Sequence, residues 1–235
     1  AEEGELIACF VQPNDPGVIE VTKLASAHAR QLNGSAALCG YQRPDPQFID
    51  NMVQAVYLAV QKDLQVTYIN PPPSFEGRRM LQRLRTPGQI VLRERQATCF
   101  DLALLFAACL EHIGLHPLVF LIRGHAFFGY FVPDTNYPLA VTDRWTQIDG
   151  SLRRGELVAV NSTSFCEGFD YVQSREHGTR LLADESQFEF AIDVVQGLPE
   201  VDRDKIGVLG HSLGGHGTFF LAAYDDRVKA AAGNC

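Results

Sequence analysis

The sequence predicts an α+β fold for most of the chain, with a short segment of α/β character at its C-terminal end. Three patterns carry this reading. Helical periodicities run from Val18 to Leu32 and from Phe48 to Leu64. An apolar helix beginning at Cys99 leads into two adjacent strand-like runs, Pro117 to Ile122 and Ala126 to Val132. The last residues read strand, glycine-rich turn, helix, strand. The expected boundaries are 1–195 for the α+β domain and 196–235 for an incomplete second one.

Taken in order, Leu6 to Val11 reads as a short strand, followed by Pro13, Pro16 and a helix that stops at Asn33-Gly34. Asp45-Pro46 gives the second helix an N-cap and a first-turn proline, and Phe48, Met52, Ala55, Val56, Ala59 and Val60 recur at helical spacing. Val66 to Ile69 is a brief extended run ended by Pro71-Pro72-Pro73. Thr98 caps the next helix, Asp101 sits in its first turn, Leu102 to Leu110 form its apolar body and Gly114 stops it. The two strands that follow join around Arg123-Gly124. Pro133 to Gly155 is a polar excursion expected as a loop, holding Asp149 and the single tryptophan, Trp145. Leu157 to Val160 resumes as a strand and delivers Asn161 at its end. Phe169 to Leu182 and Gln187 to Val195 read as helices, the second with an extended run as the alternative. Lys205 to Leu209 is a buried-type strand, Gly210 to Gly215 a tight turn into a helix through Tyr224, and Val228 to Ala232 a further strand.

Composition narrows the function classes. A formal charge of −8 argues against a broad nucleic-acid surface. One basic cluster, Arg78, Arg79, Arg83, Arg85, Arg93 and Arg95, reads as a solvated face or as partners for the excess carboxylates. No apolar run reaches the roughly 20 residues of a membrane helix, so a soluble protein without membrane contact is expected. The six cysteines, at 9, 39, 99, 109, 166 and 235, form no C-x-x-C. They read as reduced, mostly buried thiols of a cytoplasmic protein. The start at Ala1 and the end at Cys235 suggest a piece of a larger multidomain chain. No metal constellation is visible, and His112 and His116 read as structural.

Two sites emerge. Cys99 falls in the first turn of its helix, where unpaired N–H groups and the helix dipole favour a thiolate. His125 opens the second strand and could take the thiol proton. Asn161, at a strand end, or Asp149, in the polar excursion, could orient the ring, and the strand-borne Asn161 is the firmer support. Gln96 and the Cys99 N–H are candidate oxyanion donors, although Gln96 also fits a surface position.

The stretch TCFDLALLFAACLEHIGLHPLVFLIRGHAFFGYF resembles the core of transglutaminase-like, papain-related cysteine enzymes, in particular a divergent bacterial group found in large multidomain proteins. LVAVNSTSF at 157–165 resembles the third segment of that family, with Asn161 where an acid is usual. GYQ at 40–42, NPPPSF at 70–75 and RLRTP at 83–87 resemble its leader. The resemblance implies a transglutaminase-like/papain-like core in which Cys99 and His125 act on a protein or peptide amide without a cofactor. Peptidase, amidase and transglutaminase chemistry all remain open.

The second site is Gly210-His211-Ser212-Leu213-Gly214, a G-x-S-x-G turn between a strand and a helix. Small residues there permit the strained turn that exposes a serine hydroxyl. EVDRDKIGVLGHSLGGHGTFFLAAYDDRVKAAAGNC resembles the elbow region of α/β-hydrolases of the dienelactone hydrolase and esterase type, which makes Ser212 a nucleophile and the Leu213 N–H an oxyanion donor. The acid and histidine expected on later strands do not follow in this sequence, and His216 is only four residues on. Residues 184–200 fit either module. The leading expectation is cysteine-dependent acyl transfer at Cys99. The alternatives are serine hydrolysis at Ser212 and a catalytically silent binding module.

Overall fold

The computed structural model describes residues 7–8, 10–70, 84–135, 137 and 141–193, and as backbone 206–211 and 228–234. The chain separates into two compact units, Ala1–Val194 and Val195–Cys235.

The first unit opens with helical pieces. Ile7 and Ala8 lie in a helical turn, with Phe10 N–H on Ile7 O and Val11 N–H on Ala8 O, so the strand expected over Leu6 to Val11 does not form. With Pro13 close behind, local i,i+3 bonds satisfy the backbone instead of a ladder. Helix α1, Pro16–Asn33, starts on the Asp15 carboxylate, which accepts the Gly17 N–H, and stops at Gly34 in the left-handed conformation. Helix α2, Pro46–Leu58, is capped by Asp45 accepting from Phe48 N–H and continues as a π-turn over Ala59–Asp63. Strands β1, Thr67–Tyr68, and β2, Gln96–Ala97, form a short parallel pair.

Helix α3, Cys99–His112, is followed by β3, Pro117–Ile122, and β4, His125–Phe131, which form an antiparallel hairpin. Then come β5, Val141–Thr142, helix α4, Trp145–Arg153, β6, Leu157–Val160, helix α5, Tyr171–Leu182, and β7, Phe188–Asp193. The described strands build a five-stranded antiparallel sheet in the order β5-β7-β3-β4-β6. Two expectations are corrected. The polar excursion is not a loop throughout, because residues 145–153 are helical. Residues 188–193 are a strand, the extended option of the two.

Alternation along the strands divides the core. Phe120, Phe127, Phe131, Leu157, Ala159 and Ala191 share one face and pack with Ile148 and Leu152 of α4 and Leu182 of α5. Phe128 and Tyr130 point to the other face. There the Phe128 ring stacks on Phe106 of α3 at 4.5 Å. The Asp50 carboxylate accepts from Tyr130, Tyr171 and Arg175, tying α2 to β4 and α5. Burial and that carboxylate hold both tyrosines well above the usual phenol range.

In the second unit, β8, Ile206–His211, and β9, Val228–Asn234, pair in parallel. Residue 212 follows directly on β8. The helix expected through Tyr224, and the Ser212 elbow itself, lie outside the described residues.

Candidate functional site

The start of α3 is clamped. Thr98 and Asp101 form a reciprocal capping box, with Asp101 N–H on Thr98 Oγ1 at 3.2 Å and Thr98 N–H on Asp101 Oδ2 at 3.0 Å. Arg85 adds its backbone N–H on Oδ1 at 2.8 Å and a guanidinium N–H on Oδ2 at 3.1 Å, and its Nε donates to Glu94 at 2.7 Å. Asp101 is 0% exposed, so these bonds replace the water it loses. Cys99 is therefore the first residue of a rigid, well-anchored helix, and half-buried.

The α3 N-terminus and the start of β4 reach the same end of the sheet. Helix α3 turns back into β3, and β4 runs antiparallel to β3. From the Phe106–Phe128 contact, Cys99 lies about 10 Å along the helix and His125 about 10 Å along the strand. Alternation, however, puts His125 on the Phe127 face, and the two rings lie 5.8 Å apart. Helix α3 packs on the Phe128 face. Among the described hydrogen bonds none joins Cys99 Sγ to His125, so the expected thiol–imidazole pair is not engaged.

Asn161, the favoured candidate for orienting the ring, lies against His125. His125 Nε2 lies 2.9 Å from Asn161 Oδ1. Asn161 ends β6 because its N–H turns from the sheet to Ser174 O of α5 at 3.0 Å, while its Oδ1 accepts Thr163 N–H in an Asx turn. Gly178 lets α5 come this close, since a Cβ there would sit 2.8 Å from the Ala159 backbone. Asp149, the other candidate, is on α4 and accepts from Arg153 Nε at 2.7 Å. The bond to His125 thus comes from the amide and not from this carboxylate. Burial holds the His125 imidazole below its ordinary pKa, against the opposing effect of the Asn161 bond.

The site has members the sequence reading missed. His177 Nδ1 lies 3.2 Å from Asn161 Nδ2 and 2.9 Å from Ser164 Oγ. The only hint was its place beside Ser174 and Gly178 on the buried stripe of α5. Tyr68, at the end of β1, feels both Cys99 and Cys166, although burial is the larger cause of its raised pKa. Cys166 is exposed as a residue, but its Sγ lies 3.8 Å from Val66 O, and partial desolvation there pushes the thiol up. Gln96 is exposed in β2. Of the four described cysteines only Cys109 is buried, which corrects the expectation of mostly buried thiols. Among the described residues no cluster of His, Cys, Asp and Glu could hold a metal ion, and no helix is long and apolar enough to cross a membrane.

Comparison with known families matches residues 185–233 to the family described as BAAT / acyl-CoA thioester hydrolase C terminal. No curated protein and no solved structure matches the chain. The transglutaminase-like resemblance of the first unit finds no counterpart in these comparisons, whereas the serine-hydrolase alternative does. The C-terminal segment of this chain is similar to the C-terminal domain of acyl-CoA thioester hydrolases, an α/β-hydrolase-like domain.

Proposed function

We propose that this protein cleaves acyl thioesters or related esters through a serine nucleophile, Ser212. The observation that carries the reading is the family match over 185–233, a segment in which β8 ends at His211 and a parallel β9 follows. Parallel neighbours need a crossover, and in the sequence the G-x-S-x-G motif begins within β8 and runs on past its end. Ser212 Oγ attacks the acyl carbonyl and the Leu213 N–H binds the oxyanion. The C–S or C–O bond then breaks, the leaving group takes a proton, and water releases the acyl-serine. His216 follows Ser212 by only four residues in the sequence, so the base in this reading is another histidine.

One observation favours a second reading, thiol-dependent acyl transfer in the first unit. His125 Nε2 is taken by Asn161, which leaves Nδ1 as a base at the end of the sheet that the Cys99 helix also reaches. Cys99 would then attack an amide or ester carbonyl of a protein or peptide. A fluorophosphonate probe and turnover of a long-chain acyl-CoA by the full chain separate the two. Labelling and turnover that vanish in Ser212→Ala and persist in Cys99→Ala support the serine reading. Activity lost in Cys99→Ala and kept in Ser212→Ala overturns it in favour of the thiol.

A further inference from the structure

An asparagine can offer either end of its amide to a histidine, and only its surroundings decide which. Around Asn161 the decision is legible. Thr163 N–H, which can only donate, lies 3.3 Å from Oδ1, and Thr163 Oγ1 lies 3.0 Å from the same atom. That atom is therefore the oxygen. The other end, Nδ2, can only donate, and it faces His177 Nδ1 at 3.2 Å. His177 Nδ1 consequently carries a lone pair, which the Ser164 hydroxyl also approaches at 2.9 Å. On the opposite side, His125 Nε2 faces Oδ1 and must carry the proton. In the neutral ring this leaves Nδ1 as the basic nitrogen. Asn161 is 2% exposed and Ser164 fully buried, so water competes poorly for these bonds.

We propose that His177 is a positioning residue: by accepting from Asn161 Nδ2 it joins the Thr163 contacts on Oδ1 in holding the amide in one orientation, and so helps to fix His125 as the Nε2–H tautomer. A carboxylate at position 161 would need no such partner, because both its ends accept. For an amide, Thr163 on Oδ1 and His177 on Nδ2 supply the orientation between them. The use made of His125 Nδ1 rests on the thiol reading, but the tautomer itself does not.

The test is two-bond 1H–15N correlation of the histidine rings in the full chain, with Cys99 alkylation by iodoacetamide as a second readout. In the native protein His125 is expected as Nε2–H, and His177→Gln, whose amide oxygen can still accept, keeps it so. His177→Phe offers no acceptor. It is expected to give mixed His125 tautomers and about tenfold slower Cys99 alkylation, the scale of one lost hydrogen bond. A His125 that stays wholly Nε2–H in His177→Phe, or that is Nδ1–H in the native protein, overturns the proposal. If His177→Phe does not fold, Asn161→Asp decides. With no N–H at position 161, His177 Nδ1 should gain a proton while His125 stays Nε2–H, and an unchanged His177 overturns the proposal. Alkylation equal in native protein and His125→Gln, with tautomers responding as expected, removes the thiol reading and leaves the positioning role standing.

Discussion

At the residue scale, the site turns on burying polar groups without stranding them. Asn161 uses both ends of its amide within the protein, and His125 gains a partner for Nε2 while losing water. The net result is an imidazole held below its ordinary pKa, with burial the larger cause. The sign for stability follows from linkage. Below the unfolded value of roughly 6.5 the unfolded chain binds a proton that the folded ring resists, so stability falls as pH drops through that window. His125→Gln keeps an N–H for Asn161 and removes the titration. Urea midpoints at pH 7.5 and pH 5 should therefore fall less in this variant than in the native protein, and an equal fall would show that His125 does not contribute. The candidate site was half legible at this scale. Cys99, His125 and Asn161 follow from a capped helix, a strand start and a strand end. His177 comes from the following helix, and only its place beside Ser174 and Gly178 on the buried stripe marks it.

At the element scale, elements with a clear period and a cap read correctly, and those with few apolar anchors did not. Helix α3 carries an uninterrupted apolar body, a capping box and a glycine stop. Its start depends on one carboxylate, and Asp101→Ala would strand Thr98 N–H and leave the mostly buried Arg85 with Glu94 alone. A loss of about 3 kcal/mol is expected in denaturant titration, against about 1 kcal/mol for Thr98→Ala. Similar values for the two would place the stabilisation in the cap and not in the Arg85 clamp. Helix α4 was missed because Ile148 and Ser151 are its only buried residues, too sparse to show a period. What makes it a helix is the sheet face it covers and the Trp145 Nε1–H bond to Leu182 O at 2.7 Å. The segment FEFAID fitted either period, and the free edge of β3 resolved it.

At the scale of the whole molecule, the family match and the compact units divide the chain differently. The match starts at 185, yet β7 at Phe188–Asp193 lies inside the first unit's sheet between β5 and β3, with Ala191, Ile192 and Asp193 buried there. The segment similar to thioester hydrolases thus begins with a strand that the first unit uses. A chain of residues 1–194 should unfold cooperatively on heating, and one of 1–184, lacking the strand that joins β5 to β3, should not. Equal cooperativity of the two would show that β7 is dispensable to the first unit.

The sequence by itself determined the capped helices, the β3–β4 hairpin, the strand that ends at Asn161 and the strand that precedes Ser212. In each case the signal is local: a cap, a period, or a glycine where the chain must turn. The sequence favoured Asn161 over Asp149 as the partner of His125; the tertiary structure alone decided that His177 holds Asn161 and that Cys99 and His125 reach one end of the sheet without a bond between them. Those outcomes depend on which face of the sheet each element covers and on how closely Gly178 lets α5 approach β6. Both are relations between segments distant in sequence, and no local pattern encodes them.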